Sequence, residues 1–386
     1  MRILHLYSDW KWTGPAEPAI QACKGLADRG HHVVFACPAP AMAYKEYVAA
    51  KAAELGLTVT TRFGLNRYLK PGPTVHDLVA LPYTLWHERF DIVHCHLSHD
   101  HIMGGFLARL PGTHRPRIVR SLYRRDVLRA SPGNRLLLRL FTDGCVTFTP
   151  SFRAAYTSRF GLRPERVALC PMSLDLERFR PGQPARDMRQ EFGFPADAPV
   201  IGIVGRFQKY RRAETFVQAA ARLLRDVPNA RFLIIGRSSQ IRETVVEPIE
   251  RLGIQNAVVL SGYRIEDYVD TLRCLDVFSL LMPGFDGTAR AVREAMALGK
   301  PCVVSDYGML PEIVQDGRTG RVVPAEPEAL AAAWRQVLED RQAYAAMSAA
   351  AVDHVRANCR IDQVGECLEQ FYASLLERRG RVPHSP

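Results

Sequence analysis

Along the chain, short apolar runs alternate with stretches whose apolar residues recur every three or four positions. Residues 2–7 form a strand-like run. The helical stretch 17–29 follows, with Ile20, Cys23, Leu26 and Ala27 on one face and Gly30 placed to cap its end. Strand 32–37, helix 43–55, strand 57–61, helix 75–86 and strand 92–96 come next, and strand 118–122 lies beyond a helix around 104–110. Near-continuous apolar strands separated by helices predict a parallel sheet covered on both faces.

The rhythm restarts after Pro199. Strands 200–204, 231–235, 258–261, 277–281 and 302–305 alternate with helices 213–225, 241–252, 265–274 and 288–298. Between the halves, Arg178-Phe179-Arg180-Pro181-Gly182-Gln183-Pro184 carries two prolines and a glycine, which suit a linker and not a central strand or helix. The expectation is α/β, with one doubly wound domain over 1–180 and a second over 181–358. A last helical stretch, 361–378, spaces Val364, Cys367, Leu368, Phe371, Tyr372 and Leu375 as an apolar stripe that needs a surface to cover it.

Composition narrows the class. The 386 residues are 47% apolar, which excludes disorder, and no uncharged apolar run reaches the roughly 18 residues of a membrane span. Nine scattered cysteines without a C-x-x-C pair predict reduced, mostly buried thiols in a cytoplasmic protein and no disulfide framework. Charge is uneven: residues 1–175 carry 23 Lys and Arg against 13 Asp and Glu, while the rest is nearly balanced. From Arg115 to Arg139, eight arginines meet one acid, Asp126. Such a field attracts phosphates, anionic lipid or nucleic acid, or is a solvated arginine-rich surface.

Two loops of the second half have ligand chemistry. Gly205-Arg206-Phe207-Gln208-Lys209-Tyr210-Arg211-Arg212 puts four cations directly after a strand, where open parallel sheets bind ligands. The guanidinium fork matches phosphate oxygens. After strand 277–281, Gly284, Asp286 and Gly287 predict a turn, with Asp286 capping a helix that starts at Thr288. Glu294, eight residues beyond Asp286, is then about 12 Å along the axis. Two acids bracketing an anion-binding helix start suit a nucleotide-sugar.

The second segment resembles the acid-x7-acid signature of glycosyltransferase family 4, the group 1 glycosyltransferases of GT-B fold, with its Glu294-Ala295-Met296-Ala297 and Gly299-Lys300-Pro301 continuation. Gly14-Pro15-Ala16-Glu17 is similar to the family's N-terminal glycine loop, and Arg29-Gly30-His31-His32-Val33 to its helix-to-strand turn. Asp175-Leu176-Glu177-Arg178-Phe179, Gly205-Arg206, and Leu310-Pro311-Glu312-Ile313-Val314 with Asp316-Gly317 and Gly320 match further motifs in order.

This resemblance implies two Rossmann-like domains facing a cleft, with the final helix, about 359–386, packing back on the first. It implies a retaining, metal-independent hexosyltransferase that needs no cofactor. The enzyme would move sugar from a UDP-, GDP- or ADP-sugar to a glycan or lipid-linked acceptor in cell-surface polysaccharide or lipopolysaccharide synthesis. The leaving phosphate would help deprotonate the acceptor, and closure of the domains would exclude water. By the same resemblance Arg206, with Lys209 or Arg211, binds the donor diphosphate, and Gly205 and Gly14 belong to the donor-binding loops. Asp286 orients the transferred sugar, Gly287, Thr288 and Ala289 offer amides, and Glu294 accepts from the ribose hydroxyls.

Three positions depart from the family pattern. Asp286 replaces the usual Glu, Pro15 removes one N–H, and Tyr123 stands where many members carry a histidine after strand 118–122. Glu17, His96 and Tyr123 are therefore candidates for contact with acceptor or sugar. In His94-Cys95-His96-Leu97-Ser98-His99-Asp100-His101, strand period puts His94 and His96 on one side; strand-end packing, a site-lining role and a metal site are all readings of it. The expected partners are a nucleotide-sugar, a glycan or lipid-linked acceptor, and an anionic membrane surface reached from the cytoplasmic side through the basic first domain. No nucleic-acid module is present. A non-catalytic nucleotide-sugar-binding protein of the same fold is the alternative. A dinucleotide-dependent dehydrogenase is not, because Gly202-Ile203-Val204-Gly205 is no G-x-G-x-x-G.

Overall fold

The computed structural model describes residues 1–40, 47–66, 71–110, 114–183, 186–284 and 289–380. The chain divides into two compact units, Met1–Ser173 with Cys359–Pro386, and Leu174–Asn358. The division falls at 173/174, so the proline-containing segment 178–184 belongs to the second unit and does not separate the two.

In the first unit, β1 (Arg2–Leu6), α1 (Ala16–Ala27), β2 (His32–Ala36), α2 (Val48–Glu54) and β3 (Thr58–Thr60) are followed by α3 (Pro71–His87), β4 (Ile92–Cys95) and α4 (Ser98–Leu107). Then come β5 (Arg117–Ser121), α5 (Pro132–Leu140), β6 (Gly144–Thr147), α6 (Pro150–Phe160) and β7 (Val167–Leu169). All seven strands are parallel, in the order β3-β2-β1-β4-β5-β6-β7.

The second unit opens with α7 (Met188–Glu191) and β8 (Val200–Gly205), then α8 (Ala213–Asp226), β9 (Arg231–Gly236), α9 (Glu247–Leu252) and β10 (Val258–Gly262). It continues through α10 (Tyr268–Arg273), β11 (Val277–Leu280), α11 (Arg290–Ala297), β12 (Cys302–Ser305), α12 (Leu310–Ile313), β13 (Gly320–Val323), α13 (Pro327–Glu339) and α14 (Arg341–Asn358). Its six parallel strands run β10-β9-β8-β11-β12-β13. The central strands are buried almost end to end, as a sheet covered by helices on both sides requires.

The last helix, α15 (Ile361–Gly380), belongs to the first unit and lies against α1. Two glycines permit this. A Cβ on Gly25 would stand 2.6 Å from the Ile361 carbonyl oxygen, and one on Gly365 would collide with the Gly25 carbonyl. The apolar stripe of α15 joins the core of β1, β2 and α1: Leu368, Phe371, Tyr372 and Leu375 are buried with Ile3, Tyr7, Ile20 and Cys23. At the surface, Glu369 accepts from Arg29 and lies 2.9 Å from Nε2 of His31.

One expectation fails here. Cys170, just past β7, and Cys367 on α15 are joined by a disulfide, with Cα atoms 5.8 Å apart and a sequence separation of 197. Cys23, Cys37, Cys95, Cys145, Cys274, Cys302 and Cys359 are free and buried, and burial pushes the thiols of Cys37 and Cys145 up to about 12.

The glycine contact yields a prediction. Gly365→Ala forces α15 off α1 and lowers the unfolding free energy of the first unit by about 1–3 kcal/mol, the usual range for an overpacked contact. Urea titration checks it, and an unchanged midpoint would show that α15 docks by other means.

Candidate functional site

In each sheet the strand order reverses direction once, and ligands of open parallel sheets bind at that point, outside the carboxyl ends of the strands. In the second unit the reversal lies between β8 and β11, which pair through Val277–Ile201, Phe278–Gly202 and Ser279–Ile203. The loop after β8 carries Arg206 to Arg212, and the chain leaving β11 leads to α11. The two segments that the sequence singles out thus emerge from neighbouring strands.

The four cations of the first loop have different environments. Arg206 follows the strand directly and is exposed. Arg211 is buried and turns back, its Nη2 donating to the Val204 carbonyl at 3.4 Å. A Cβ on Gly205 would come within 2.5 Å of that nitrogen, so the glycine makes room for the guanidinium. Lys209 is exposed and paired with Glu243 at 2.7 Å. Arg212 adopts a left-handed φ of 55° as the chain turns into α8. The loop is held from below, where the buried Thr244 hydroxyl donates to the Phe207 carbonyl at 2.8 Å.

On the other side, α11 starts at Arg290, with Ala289 preceding it in the left-handed region at φ 46° and no side-chain cap. The helix therefore begins two residues later than the expected Thr288. Asp286, Gly287 and Thr288 themselves lie outside the described residues. Glu294 is buried. It accepts from the Tyr268 hydroxyl at 2.6 Å and from Nε of Arg290 at 2.8 Å. Burial, reinforced by the Glu294 carboxylate, holds the Tyr268 phenol well above its ordinary pKa, so it remains a donor. Phe179 stands edge-on to the Tyr268 ring at 6.4 Å.

In the first unit the reversal lies between β1 and β4. Gly14 sits in the turn before α1, and Glu17 lies in the first turn of that helix, buried, accepting from Gln21 at 3.1 Å. His5 on β1 is in register with His94 on β4, and His96 follows two residues later, so three buried imidazoles share one face. His94 and His96 stack at 4.5 Å. His94 Nδ1 lies 2.6 Å from the Tyr372 hydroxyl of α15, and its Nε2 lies 2.8 Å from Ser121 Oγ. His96 bridges His5 Nδ1 at 2.8 Å and the Tyr123 hydroxyl at 3.0 Å. Tyr123 is itself buried and stacks on Phe148 at 4.9 Å. Together with Ser121, Cys170, Met172 and Leu368, these two rings line a small pocket, partly open to solvent.

One ring nitrogen from each of His5, His94 and His96 lies within 4.8 Å of the others, close enough to ligate a common cation. However, both nitrogens of His94 and both of His96 are already hydrogen-bonded, so such an ion would have to replace those bonds. Beneath the triad, Asp100 ties the switch point together. Its carboxylate accepts from the backbone of Ser8 and Leu97 at 2.8–3.0 Å and from Arg120 at 3.3 Å. Burial pushes this carboxyl up to about 7, against the pull of Arg120 and the amides.

Family models match both units. Residues 16–178 match "Glycosyltransferase Family 4" and 185–354 match "Glycosyl transferases group 1". The chain belongs to this glycosyltransferase family. Among the relatives of this group 1 glycosyltransferase is the N-acetyl-alpha-D-glucosaminyl L-malate synthase of Bacillus anthracis, 24% identical over 93% of this chain and 94% of that one. A GDP-mannose-dependent alpha-(1-6)-phosphatidylinositol monomannoside mannosyltransferase of Mycobacterium tuberculosis is 31% identical over 62% of this chain and 65% of its own length. Among solved structures, Anabaena Alr3699/HepE, determined with UDP and glucose, superposes with a TM-score of 0.76 over 97% of this chain and 100% of that one at 20% identity. The two parallel-sheet units are those of the GT-B fold.

Several partners escaped the sequence reading. The hydrogen-bonding roles of His5, Tyr372 and Tyr268 carry no local motif; strand register, the return of α15 and the hydrogen bond from α10 to Glu294 bring them in. The buried histidines generate a pH prediction. Burial lowers His5 to about 3 and holds His94, His96 and His101 well below the ordinary value. Unfolding frees them to bind protons below about pH 6.5, so each removes up to about 1.4 kcal/mol of stability per pH unit as pH falls. Asp100 acts in the opposite sense, since its protonated folded form gains as pH falls from 7 towards 4. Four imidazoles outweigh one carboxyl, and the urea midpoint of the first unit should drop between pH 7 and pH 5. A level or rising midpoint would show that these rings are not held neutral.

Proposed function

We propose that this protein is a retaining glycosyltransferase that transfers a hexosyl group from a nucleotide-diphosphate sugar to a glycan or lipid-linked acceptor. It works without a metal or cofactor, at the inner face of the cytoplasmic membrane, in the synthesis of cell-surface polysaccharide or lipopolysaccharide. The observation that carries this reading is the pairing of β8 with β11. It brings the arginine loop and the start of α11 to one switch point, with Glu294 buried behind it.

Breaking the bond between the anomeric carbon and the diphosphate oxygen leaves negative charge on phosphate and positive charge on the sugar ring. Arg206 is the exposed cation nearest the strand end, and it stabilises the departing diphosphate. Lys209 and Arg211 assist, and the amide of Ala289 adds a dipole. A preorganised donor of this kind is worth about 3–4 kcal/mol at the barrier. Glu294, oriented by Tyr268 and Arg290, accepts from the ribose hydroxyls. Asp286, Gly287 and Thr288 keep the roles that the resemblance gives them. A phosphate oxygen of the leaving group takes the proton of the incoming hydroxyl on the same face of the sugar. The first unit receives the acceptor beside Glu17, His96 and Tyr123. The relatives support the substrate class: the mycobacterial enzyme's name specifies GDP-mannose and a phosphatidylinositol mannoside, and the Anabaena structure holds UDP and glucose.

Turnover of UDP-, GDP- and ADP-sugars, with products resolved by mass and anomeric configuration, tests the reading. Inversion of configuration would overturn the retaining mechanism, and tight donor binding without transfer or hydrolysis would favour a non-catalytic binding protein. Arg206→Ala should lower turnover at least about 100-fold with the fold intact; wild-type turnover would remove Arg206 from the mechanism. Glu294→Gln should weaken the nucleoside diphosphate about tenfold in calorimetric titration, and unchanged affinity would remove the ribose contact.

A further inference from the structure

Helices α3 and α4 cover one side of the first sheet, their Leu81, Leu85, Met103 and Leu107 packed over β1, β4 and β5, and α5 adjoins α4, where Leu137 and Phe141 stand against Gly105. Their outer side is unusual. On α3, Val75, Val79, Tyr83 and Trp86 fall within one stripe opposite the buried Asp77, Leu81 and Leu85, and all four are more than half exposed, Val79 reaching 72%. Leu78 lies on the shoulder of that stripe. On α4, Ile102 and Phe106 are spaced i, i+4 and exposed; on α5, Leu136 and Leu140 repeat the spacing. The helices adjoin one another: α3 contacts α4, and Phe106 lies 6.1 Å from Phe141 at the end of α5. More than half of the large exposed apolar side chains among the described residues belong to these three helices.

The charges on this side are mostly positive; Glu88, just past α3, is half-buried and already paired with Arg2 and Arg62. The only acids within the three helices, Asp77 and Asp100, are fully buried, and Asp77 is occupied by the amides of Gly64 and Leu65. The exposed cations are arginines: Arg135 and Arg139 on α5, Arg89 just after α3 and Arg115 after α4. Because the helices run antiparallel to parallel strands, Arg89, Arg115 and Arg139 gather along one rim, at the amino ends of the strands. An apolar face bordered mainly by arginine is poorly suited to water. It is complementary to a layer that is apolar inside and negatively charged at its surface.

We infer that the α3–α4–α5 face is a monotopic docking surface for an anionic lipid bilayer, with Val79, Tyr83 and Trp86 entering the interface and the arginine rim lying on the headgroups. This inference rests on the proposed action at a membrane and names the part of the chain that meets it. The full chain should co-sediment with phosphatidylglycerol–phosphatidylcholine vesicles and at least about tenfold less with phosphatidylcholine alone. Val79→Ser/Tyr83→Ser/Trp86→Ser should cut binding to the anionic vesicles at least about tenfold. Arg135→Glu/Arg139→Glu should abolish the preference for anionic lipid. Transfer to a soluble acceptor should be unchanged in both variants, which separates loss of docking from misfolding. The inference is overturned if the wild-type chain ignores anionic vesicles, if the triple serine variant still binds them, or if sedimentation equilibrium shows that the substitutions dissociate a dimer and leave vesicle binding intact. Vesicle binding without sugar transfer would leave this surface standing and remove the proposed function instead.

Discussion

Two missing side chains govern the first unit. At Gly25 and Gly365 the backbones of α1 and α15 approach so closely that no Cβ fits between them. This contact sets the height at which α15 lies over the sheet, and two other bonds depend on that height. Tyr372 reaches His94 Nδ1, and Cys367 reaches Cys170. The hydrogen-bonded chain from Tyr372 through His94 to Ser121, and the neighbouring one from His5 through His96 to Tyr123, are therefore assembled from widely separated parts of the chain. A switch point that looks local in topology relies on a helix contributed from far away.

The second unit reaches a comparable end by other means. Its switch point is built within one continuous stretch, where the side-chain space above Gly205 is filled by the Arg211 guanidinium and Glu294 is fixed by Tyr268 and Arg290. One loop cation points inward and another outward, so a single basic segment serves both to support the turn and to meet solvent. Both units thus place polar groups at the carboxyl ends of buried parallel strands. The first holds its imidazoles neutral, and the second keeps cations at the surface.

Much of this was legible in the sequence because strand period and helix period are local properties. The alternation of runs marks ten strands of the two sheets but not the short β6, β7 and β13, and the arginine loop can be located because it directly follows the apolar run 200–204. The start of α11 was misplaced by two residues because turn residues mark a boundary only approximately. Tyr268 and His5 were missed for a different reason: nothing near them in sequence announces a partner 26 residues away in one case and 91 in the other. The disulfide was missed for the same reason. Spacing rules detect cysteines that are neighbours, whereas Cys170 and Cys367 meet only because α15 returns to the first sheet. Disulfides are uncommon in reducing compartments. The glycine contact and the apolar stripe of α15, however, hold that helix independently of the sulfur bond.

The return of α15 also has a consequence for synthesis. Protein chains leave the ribosome from the amino end, and domains tend to fold as units as they emerge. The seven-stranded sheet is made first, yet its face at Gly25 stays uncovered until the entire Leu174–Asn358 unit has been translated. The second unit is contiguous and can finish while the first is still waiting for its last helix. The order of completion is thus the reverse of the order of translation, and the newborn chain carries an open apolar seam along α1 for most of its time on the ribosome.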